Sequence, residues 1–494
     1  IKTVLIHSSA SLESAVAMLA FAKLGIFFSV IFEELEFKAI KLRYEILKPD
    51  LVVTKSDELT IKKKLYFSKK YKSKILKFNG TRKHKDIIYY KLDYKFNKNY
   101  PYINFNGNKK MFCLFTSGST GIPKGVVHSA AGYFLYSMIT CKYKFGINSN
   151  TTIIAASDAG WINGHTYSLF GPLGLGASSI ILETPTLILS KKILDIIIYD
   201  LAATIIYLPV TVIRIMKSLS PNIQYVKNSL NCIGSMGEPL APTVASWFRK
   251  VFGKNLNIIN TYFQTETSGI IYSNSYKDKI SDYENGSCGT PVNRFIKLKN
   301  YTDNKKKFEL KLRYIWPGCM TNIINSDTEY QKYWDEKGNF KLFDFGSFSK
   351  KNNLFVHGRI DDVLNIRGHR IGSAEVESVV LKIKNIKEAS VVSIKDKIEH
   401  EKIILYLSLN SKTNLINILK LINKKINNNF GNFAQPKHII ILDELPKTRS
   451  GKILRRLLRN IYDDPDQKIG DISTMINKKT IKNIINQVKK IKKL

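Results

Sequence analysis

The 494 residues exceed what one hydrophobic core usually serves, so two or more domains are expected, and a hydrophobic fraction of 44% is that of an ordinary globular chain. The longest apolar candidate, around Ala15 to Phe32, is broken by Lys23 into pieces too short to cross a bilayer, which excludes a transmembrane helix and predicts a soluble protein. Lys and Arg number 77 against 40 Asp and Glu, and the resulting +37 would draw polyanions of any size; the lysines are nevertheless dispersed among Asn and Ile, so neither nucleic acid nor membrane is expected as a specific partner.

In chain order, residues 1–55 predict a βαβ unit: IKTVLI is strand-like, SLESAVAMLAFAKLG is an amphipathic helix closed by Gly25, and FFSVIF is strand-like again. Residues 56–110 are rich in Lys and Asn with weak periodicity and predict a surface segment. Met111 to Phe115 predicts a buried strand, followed by a Thr/Ser/Gly-rich loop and then helical spacing. In that loop Thr116, Ser117, Ser119 and Thr120 offer hydroxyls, Gly118, Gly121 and Gly125 let backbone N–H groups approach an anion, and Lys124 adds a fixed charge. Pro123 and Lys124 break the G-x-x-x-x-G-K-[ST] spacing, so a different phosphate-handling loop is implied. A Gly/Asn/His turn interrupts Ile153 to Glu183, apolar Thr204 to Val212 precedes the glycine turn Gly234 to Pro239, and strand-like Leu256 to Ile259 leads into Asn260 to Thr267. Residues 362–494 alternate helical and strand patterns and end in VKKIKKL, a solvated helix terminus. Five scattered cysteines, Cys113, Cys141, Cys232, Cys288 and Cys319, show no C-x-x-C spacing. They point to a reducing, intracellular compartment, the cytoplasm first with nucleus or organelle left open, and to no zinc site.

The loop T-S-G-S-T-G-I-P-K-G resembles the phosphate loop of the adenylate-forming superfamily, which includes acyl-CoA synthetases, luciferases and peptide-synthetase adenylation domains. SAVAMLAFAKLGIFFSVIF, S-D-A-G-W-I-N-G-H-T-Y, Gly237-Glu238-Pro239, Q-T-E-T at Gln264 to Thr267, Trp316-Pro317-Gly318, GRIDDVLNIRGHRIGSAEVES and PKTRSGK at Pro446 to Lys452 are similar to its acetyl-CoA synthetase branch. The resemblance covers nearly the whole chain and starts at its first residue, so the family's N-terminal segment is expected to be missing; with Ile1 in place of Met, any targeting segment lies outside the sequence. It implies an α/β fold with a large multi-sheet N-terminal domain, 1–360, and a small α+β C-terminal lid, 361–494, joined at the hinge Asp361.

By the same resemblance Thr116, Ser117, Gly118, Ser119, Thr120, Gly121 and Lys124 take the phosphates of ATP, Gly237, Glu238 and Pro239 face adenine, and Thr261, Tyr262, Gln264 and Thr265 lie beside the triphosphate. Glu266 helps hold Mg²⁺, which takes a carboxylate together with phosphate oxygens. Asp344 takes the ribose hydroxyls, Arg359 the ribose or the adjacent chain, and Arg370 the α-phosphate, as suits a planar, permanently charged fork. Ile162, Asn163, Met236 and Phe263 form the acyl pocket in place of the family's Val, Thr, Val and Trp; Asn163, Arg367 and Gly368 meet coenzyme A; Lys452 is the catalytic lysine. The implied activity is AMP-forming ligation of a small carboxylate to coenzyme A, with acetate first and propionate second, and oligomeric state left open. Two departures keep a catalytically weak nucleotide-binding protein as the alternative. The family's Gly-Asp-Gly appears as Asp344-Phe345-Gly346, where a bulge at Phe345 is needed to aim Asp344, and an Arg offered to coenzyme A is replaced by Asn427, with Lys424 and Lys425 nearby. No H-R-D loop accompanies Asp344-Phe345-Gly346, so it is not a kinase motif.

Overall fold

A computed structural model describes residues 1–33, 35, 37–55, 70, 72–78, 87–91, 103–116, 123–225, 228–282, 284–293, 295–298, 307–360, 363–366, 369–396, 400–410, 415–448, 452–467, 469, 472 and 475–492. The first unit forms as its pattern predicts. Strands Thr3–His7 and Phe27–Ile31 are parallel neighbours, and helix Leu12–Lys23 crosses between them. Ser11 and Ser14 cap that helix reciprocally, Ser14 N to Ser11 Oγ at 3.2 Å and Ser11 N to Ser14 Oγ at 2.9 Å. Gly25, with φ +61°, ends it in the left-handed conformation.

Among the described residues this unit grows into an eight-stranded sheet in the order Asn322–Ile323, Lys124–Ser129, Lys110–Thr116, Phe27–Ile31, Thr3–His7, Leu51–Thr54, Lys74–Phe78, Ile87–Tyr90. Two features differ from the sequence reading. Strands Lys74–Phe78 and Ile87–Tyr90 extend the sheet from within the Lys-rich surface segment, because the buried side chains of Ile75, Phe78 and Ile87 suffice to anchor short strands at an edge where Ile88 and Tyr90 stay exposed. The Thr/Ser/Gly-rich stretch is followed first by a strand, Lys124–Ser129, and only then by helix Ala130–Thr140. Val126 and Val127 carry no exposed surface, so the two β-branched residues fit a buried antiparallel ladder better than a helix.

A second sheet runs Thr290–Pro291, Tyr272–Ser273, Asn257–Tyr262, Cys232–Met236, Ile205–Pro209, Thr152–Ala155, Ser178–Ile180, with the middle strands parallel. Parallel strands buried on both faces need near-continuous apolar runs, which Ile153 to Ala156 and Ile205 to Leu208 supply. A third sheet pairs Phe308–Leu312, Phe340–Phe348 and Leu354–Arg359 antiparallel. The C-terminal lid holds the hairpin Val363–Ile366 with His369–Gly372, helix Ser373–Val380, and a sheet of Ile386–Asp396, His400–Leu409 and Pro436–Leu442. Helix Leu415–Phe430 covers that sheet through Ile418, Ile422 and Ile426, spaced one turn apart and all buried. The Lys-rich end is helix Thr480–Lys492, docked by Ile484 and Val488.

Two neutral histidines are built into the large domain. His165 carries no exposed surface, its ring lies 4.7 Å from that of Phe112, and among the described residues its Nε2 meets no partner. Burial pushes its pKa down to about 3 and that of His128 down to about 4. The unfolded chain therefore takes up protons below its ordinary value of 6.5 that the folded chain refuses, and stability falls as pH drops through that window by about 1.4 kcal/mol per unit for each histidine. Asp158, raised to about 6 by burial, acts with the opposite sign over part of the same range. His165→Phe, which fills the aromatic site without titrating, should thus lose less stability than wild type between about pH 7 and about pH 5, read from urea midpoints. Equal losses would show that His165 does not carry the acid limb.

Candidate active site

The candidate site begins where strands end. Strand Asn257–Tyr262 delivers Tyr262, Phe263 and Gln264 to its carboxyl end, and the neighbouring strand Cys232–Met236 delivers Met236 and Gly237 to the same edge, where open α/β sheets take ligands. Gly237 has φ +88° and an added Cβ would meet no atom within 4 Å, so the chain there borders open space. Glu238 is ion-paired with Arg214 of helix Val210–Leu219. Thr261 is committed to the fold: its Oγ1 donates to Ser235 O at 2.9 Å and lies 2.6 Å from Tyr207 Oη.

Asp344 is the centre of this edge. It is buried, and Tyr262 Oη donates to its Oδ2 at 2.7 Å, Gln264 Nε2 donates to the same oxygen, and Arg359 Nη1 lies 3.6 Å from Oδ1. Burial raises its pKa, while Arg359, Tyr262, Gln264 and Lys452 pull it back toward the charged form. Register irregularities flank it on both sides of its strand, one of them between Phe345 and Gly346, where the bulge is expected. Lys311 pairs with Lys341 and Glu309 with Phe345, so Leu342, Phe343 and Asp344 stand opposite Leu310 alone. Phe343 carries the left-handed φ of +54° that makes this possible, an expensive conformation for an aromatic residue. Its ring is held edge-on to Tyr333 at 5.3 Å, with Arg359 at 5.8 Å from its centroid. On the other side of the strand Phe345 faces Gly358 and Gly346 faces Val356, leaving His357 as the extra residue.

Around this centre lie the charged groups. Lys124 pairs with Thr116 in the hairpin, and its Nζ is 2.6 Å from Glu329 and 5.9 Å from the Tyr333 ring. Lys124 and Lys332 hold the Glu329 carboxyl below its ordinary range. Glu266 sits in the turn Thr265–Thr267; Tyr333 Oη donates to its Oε1 at 2.7 Å, and His128 Nε2 donates to Thr265 O at 2.8 Å. Among the described residues no three His, Cys, Asp or Glu side chains gather as a metal site, so Glu266 offers the single carboxylate that suits an ion taking its remaining ligands from phosphates and water. Glu329, Tyr333 and Phe343 were missed by sequence reasoning, since no local pattern marks residues that meet Lys124 and Glu266 across such separations.

The acyl-pocket candidates come together in part. Phe263 packs against one core that contains Ile162 and another that contains Met236, and its ring is 5.7 Å from that of Tyr167. Asn163, on the short helix Ile162–His165, is buried, and among the described residues neither of its side-chain polar atoms meets a partner. Arg370 is placed as a strand residue opposite Asn365. Ser117, Gly118, Ser119, Thr120, Gly121, Asp361, Arg367 and Gly368 lie outside the described residues. Lys452 is exposed on the lid beside the bridge of Lys447 to Ile453, with its N–H donated to Thr448 Oγ1 at 3.1 Å. Its charge acts on Asp344 across the domain junction. Glu377, Arg455 and Glu388 of the lid likewise act on Arg214, whose pKa burial lowers.

Residues 2–307 match the family described as AMP-binding enzyme, and residues 375–452 match the AMP-binding enzyme C-terminal domain. The chain is 32% identical over 517 residues to acetyl-coenzyme A synthetase 2 of Candida albicans, covering 98% of this chain and 76% of that one. With acetyl-coenzyme A synthetase 1 of Saccharomyces cerevisiae it shares 30% over 528 residues, 99% of this chain and 73% of the other. Among solved structures, acetoacetyl-CoA synthetase from Streptomyces lividans superposes with a TM-score of 0.83 at 16% identity, covering 99% of this chain and 78% of that chain. The anthranilate CoA ligase AuaEII in complex with anthranoyl-AMP gives 0.79 at 19% identity, with 93% and 87% covered, and both likenesses show a common fold. On the family match and the full-length relatives, this chain belongs to the AMP-binding enzymes, among the acetyl-coenzyme A synthetases.

Proposed function

We propose that the chain joins acetate to ATP, giving acetyl-AMP and pyrophosphate, and then passes the acetyl group to the thiol of coenzyme A with release of AMP. The observation that carries this reading is the gathering of Tyr262, Gln264 and Arg359 on the buried Asp344, on which the charge of Lys452 from the lid also acts, at the sheet edge where Gly237 leaves open space. In the first step a carboxylate oxygen bonds to the α-phosphorus as the bond to pyrophosphate breaks. Negative charge builds on oxygens that already repel an anion, so fixed cations are what the step requires.

Each residue then has a task. Lys452 offsets charge at the reacting carboxylate and α-phosphate, with Arg370 beside it. Lys124 leaves Glu329 for the terminal phosphates, which Thr116 to Gly121 surround with N–H and hydroxyl donors. Glu266 would hold Mg²⁺, whose charge when bound neutralises phosphate oxygens. Gly237 to Pro239 take the adenine, and Asp344, aimed by Tyr262, Gln264 and Arg359, accepts the ribose hydroxyls. Ile162, Met236 and Phe263 close a small acyl pocket beside Asn163; one methylene is worth about 1–3 kcal/mol there, so propionate is the nearest competitor. Rotation at Asp361, between domains bounded at 360 and 361, withdraws Lys452 and brings Arg367, Gly368 and Asn163 to coenzyme A. An intracellular setting, the cytoplasm first, is supported by five cysteines that are all buried and unpaired, and among the described residues no helix is long and apolar enough to cross a membrane.

Lys452→Ala should abolish acetate-dependent exchange of pyrophosphate into ATP while acetyl-AMP and coenzyme A still yield thioester. Loss of both half-reactions together would remove Lys452 from this role. Because Glu329 occupies the Lys124 ammonium in the place a phosphate would take, Glu329→Gln should lower the KM for ATP by roughly twofold to fivefold, the worth of a partly exposed ion pair. An unchanged or raised KM would mean that Glu329 does not compete with the nucleotide.

A further inference from the structure

Three side chains join the two domains beside the junction, and none belongs to the nucleotide site. Lys307 enters the strand Phe308–Leu312 and His357 lies within Leu354–Arg359, both in the third sheet of the large domain. Glu375 stands in the first turn of Ser373–Val380, the first helix of the lid. Its Oε2 accepts from Lys307 Nζ at 2.5 Å and from Gly372 N at 2.9 Å, and its Oε1 lies 3.4 Å from His357 Nδ1. The other ring nitrogen of His357 lies 2.8 Å from Ser347 Oγ. His357 is the extra residue of the bulge, so its orientation is set by side-chain contacts rather than by a cross-strand partner. Burial pushes its pKa down, which leaves the ring neutral near pH 7 with one N–H for the carboxylate and one lone pair for the serine hydroxyl.

We propose that Lys307 and His357 are positioning residues that latch Glu375, and with it the lid, in the pose that brings Lys452 to Asp344, and that this latch opens between the two half-reactions. The inference rests on the two-step reaction proposed above. Lys307 and His357 stay with the large domain when the lid turns, whereas Glu375 travels with the lid, so the contacts at 2.5 and 3.4 Å exist only on one side of the motion. The three side chains are only 13–31% exposed, and a sheltered ion pair is screened less than one on the open surface. The latch thus weights the lid equilibrium toward adenylation without touching a substrate, and a change in that weighting alters the two half-reactions in opposite directions.

The test uses Lys307→Met, which keeps most of the stem and removes the charge, together with Glu375→Gln, which retains an acceptor for Gly372. Each should lower acetate-dependent ATP–pyrophosphate exchange by about threefold or more, while transfer from supplied acetyl-AMP to coenzyme A holds or rises; the double variant should be no worse than either single one. A parallel fall in both half-reactions, or additive losses, would overturn the proposal in favour of a general packing role. Spin labels at exposed Tyr143 and Ile416 give a readout independent of chemistry. The ligand-free wild type should show one main distance and Lys307→Met a second population; an unchanged distribution would overturn the latch. If wild type gives no exchange but the distances respond to Lys307→Met, the latch stands and the reaction proposed above is what fails.

Discussion

A buried carboxylate is costly unless it is paired and hydrogen-bonded, and Asp344 sets the terms for everything around it. Tyr262 and Gln264 reach it from the second sheet, Arg359 reaches it from the next strand of the third, and Lys452 acts on it from the lid. One ionisable group therefore ties together elements that are far apart in the chain. Its pKa is raised by burial and restrained by those same partners, so a ligand that hydrogen-bonds to it joins a network already oriented. The cost of that arrangement is visible in the left-handed Phe343 just before it, a residue kept in place by Tyr333 and Arg359.

The charged groups nearby are held by one another. Glu329 neutralises Lys124, and Tyr333 steadies Glu266, so cation and carboxylate both have neighbours that, on the reading proposed above, a nucleotide would displace or join. The net charge of +37 bears little on this, because the cations that matter are those fixed by geometry. Catalysis in such a site depends on charges placed before the reaction begins rather than recruited during it. The lid adds the charge of Lys452, which acts on Asp344, the contact of Glu375 with Lys307, and the charges of Glu377, Arg455 and Glu388 near Arg214.

Much of the fold was legible in contiguous sequence. The βαβ unit could be read from the apolar periodicity and Gly25, and the segments proposed above to handle the nucleotide stood out as short runs that resemble a known family. What escaped depended on partners distant in sequence. Lys124 to Ser129 pairs as a strand because Lys110 to Thr116 lies beside it, which local helical spacing cannot reveal. Glu329, Tyr333 and Glu375 look like ordinary polar surface residues until folding brings them to Lys124, Glu266 and Lys307. The irregularity expected at Phe345 is present, with the extra residue, His357, on the facing strand, whereas the left-handed Phe343 was not foreseen, because strain in an aromatic residue leaves no mark in composition.

The central claim is that a carboxylate attacks the α-phosphorus of ATP, and isotope transfer tests it at the bond concerned. Acetate labelled with ¹⁸O in both oxygens, turned over with ATP, Mg²⁺ and coenzyme A, should deliver one labelled oxygen to AMP and none to pyrophosphate. Label appearing in inorganic phosphate, or unlabelled AMP formed during turnover, would contradict an acyl-adenylate intermediate.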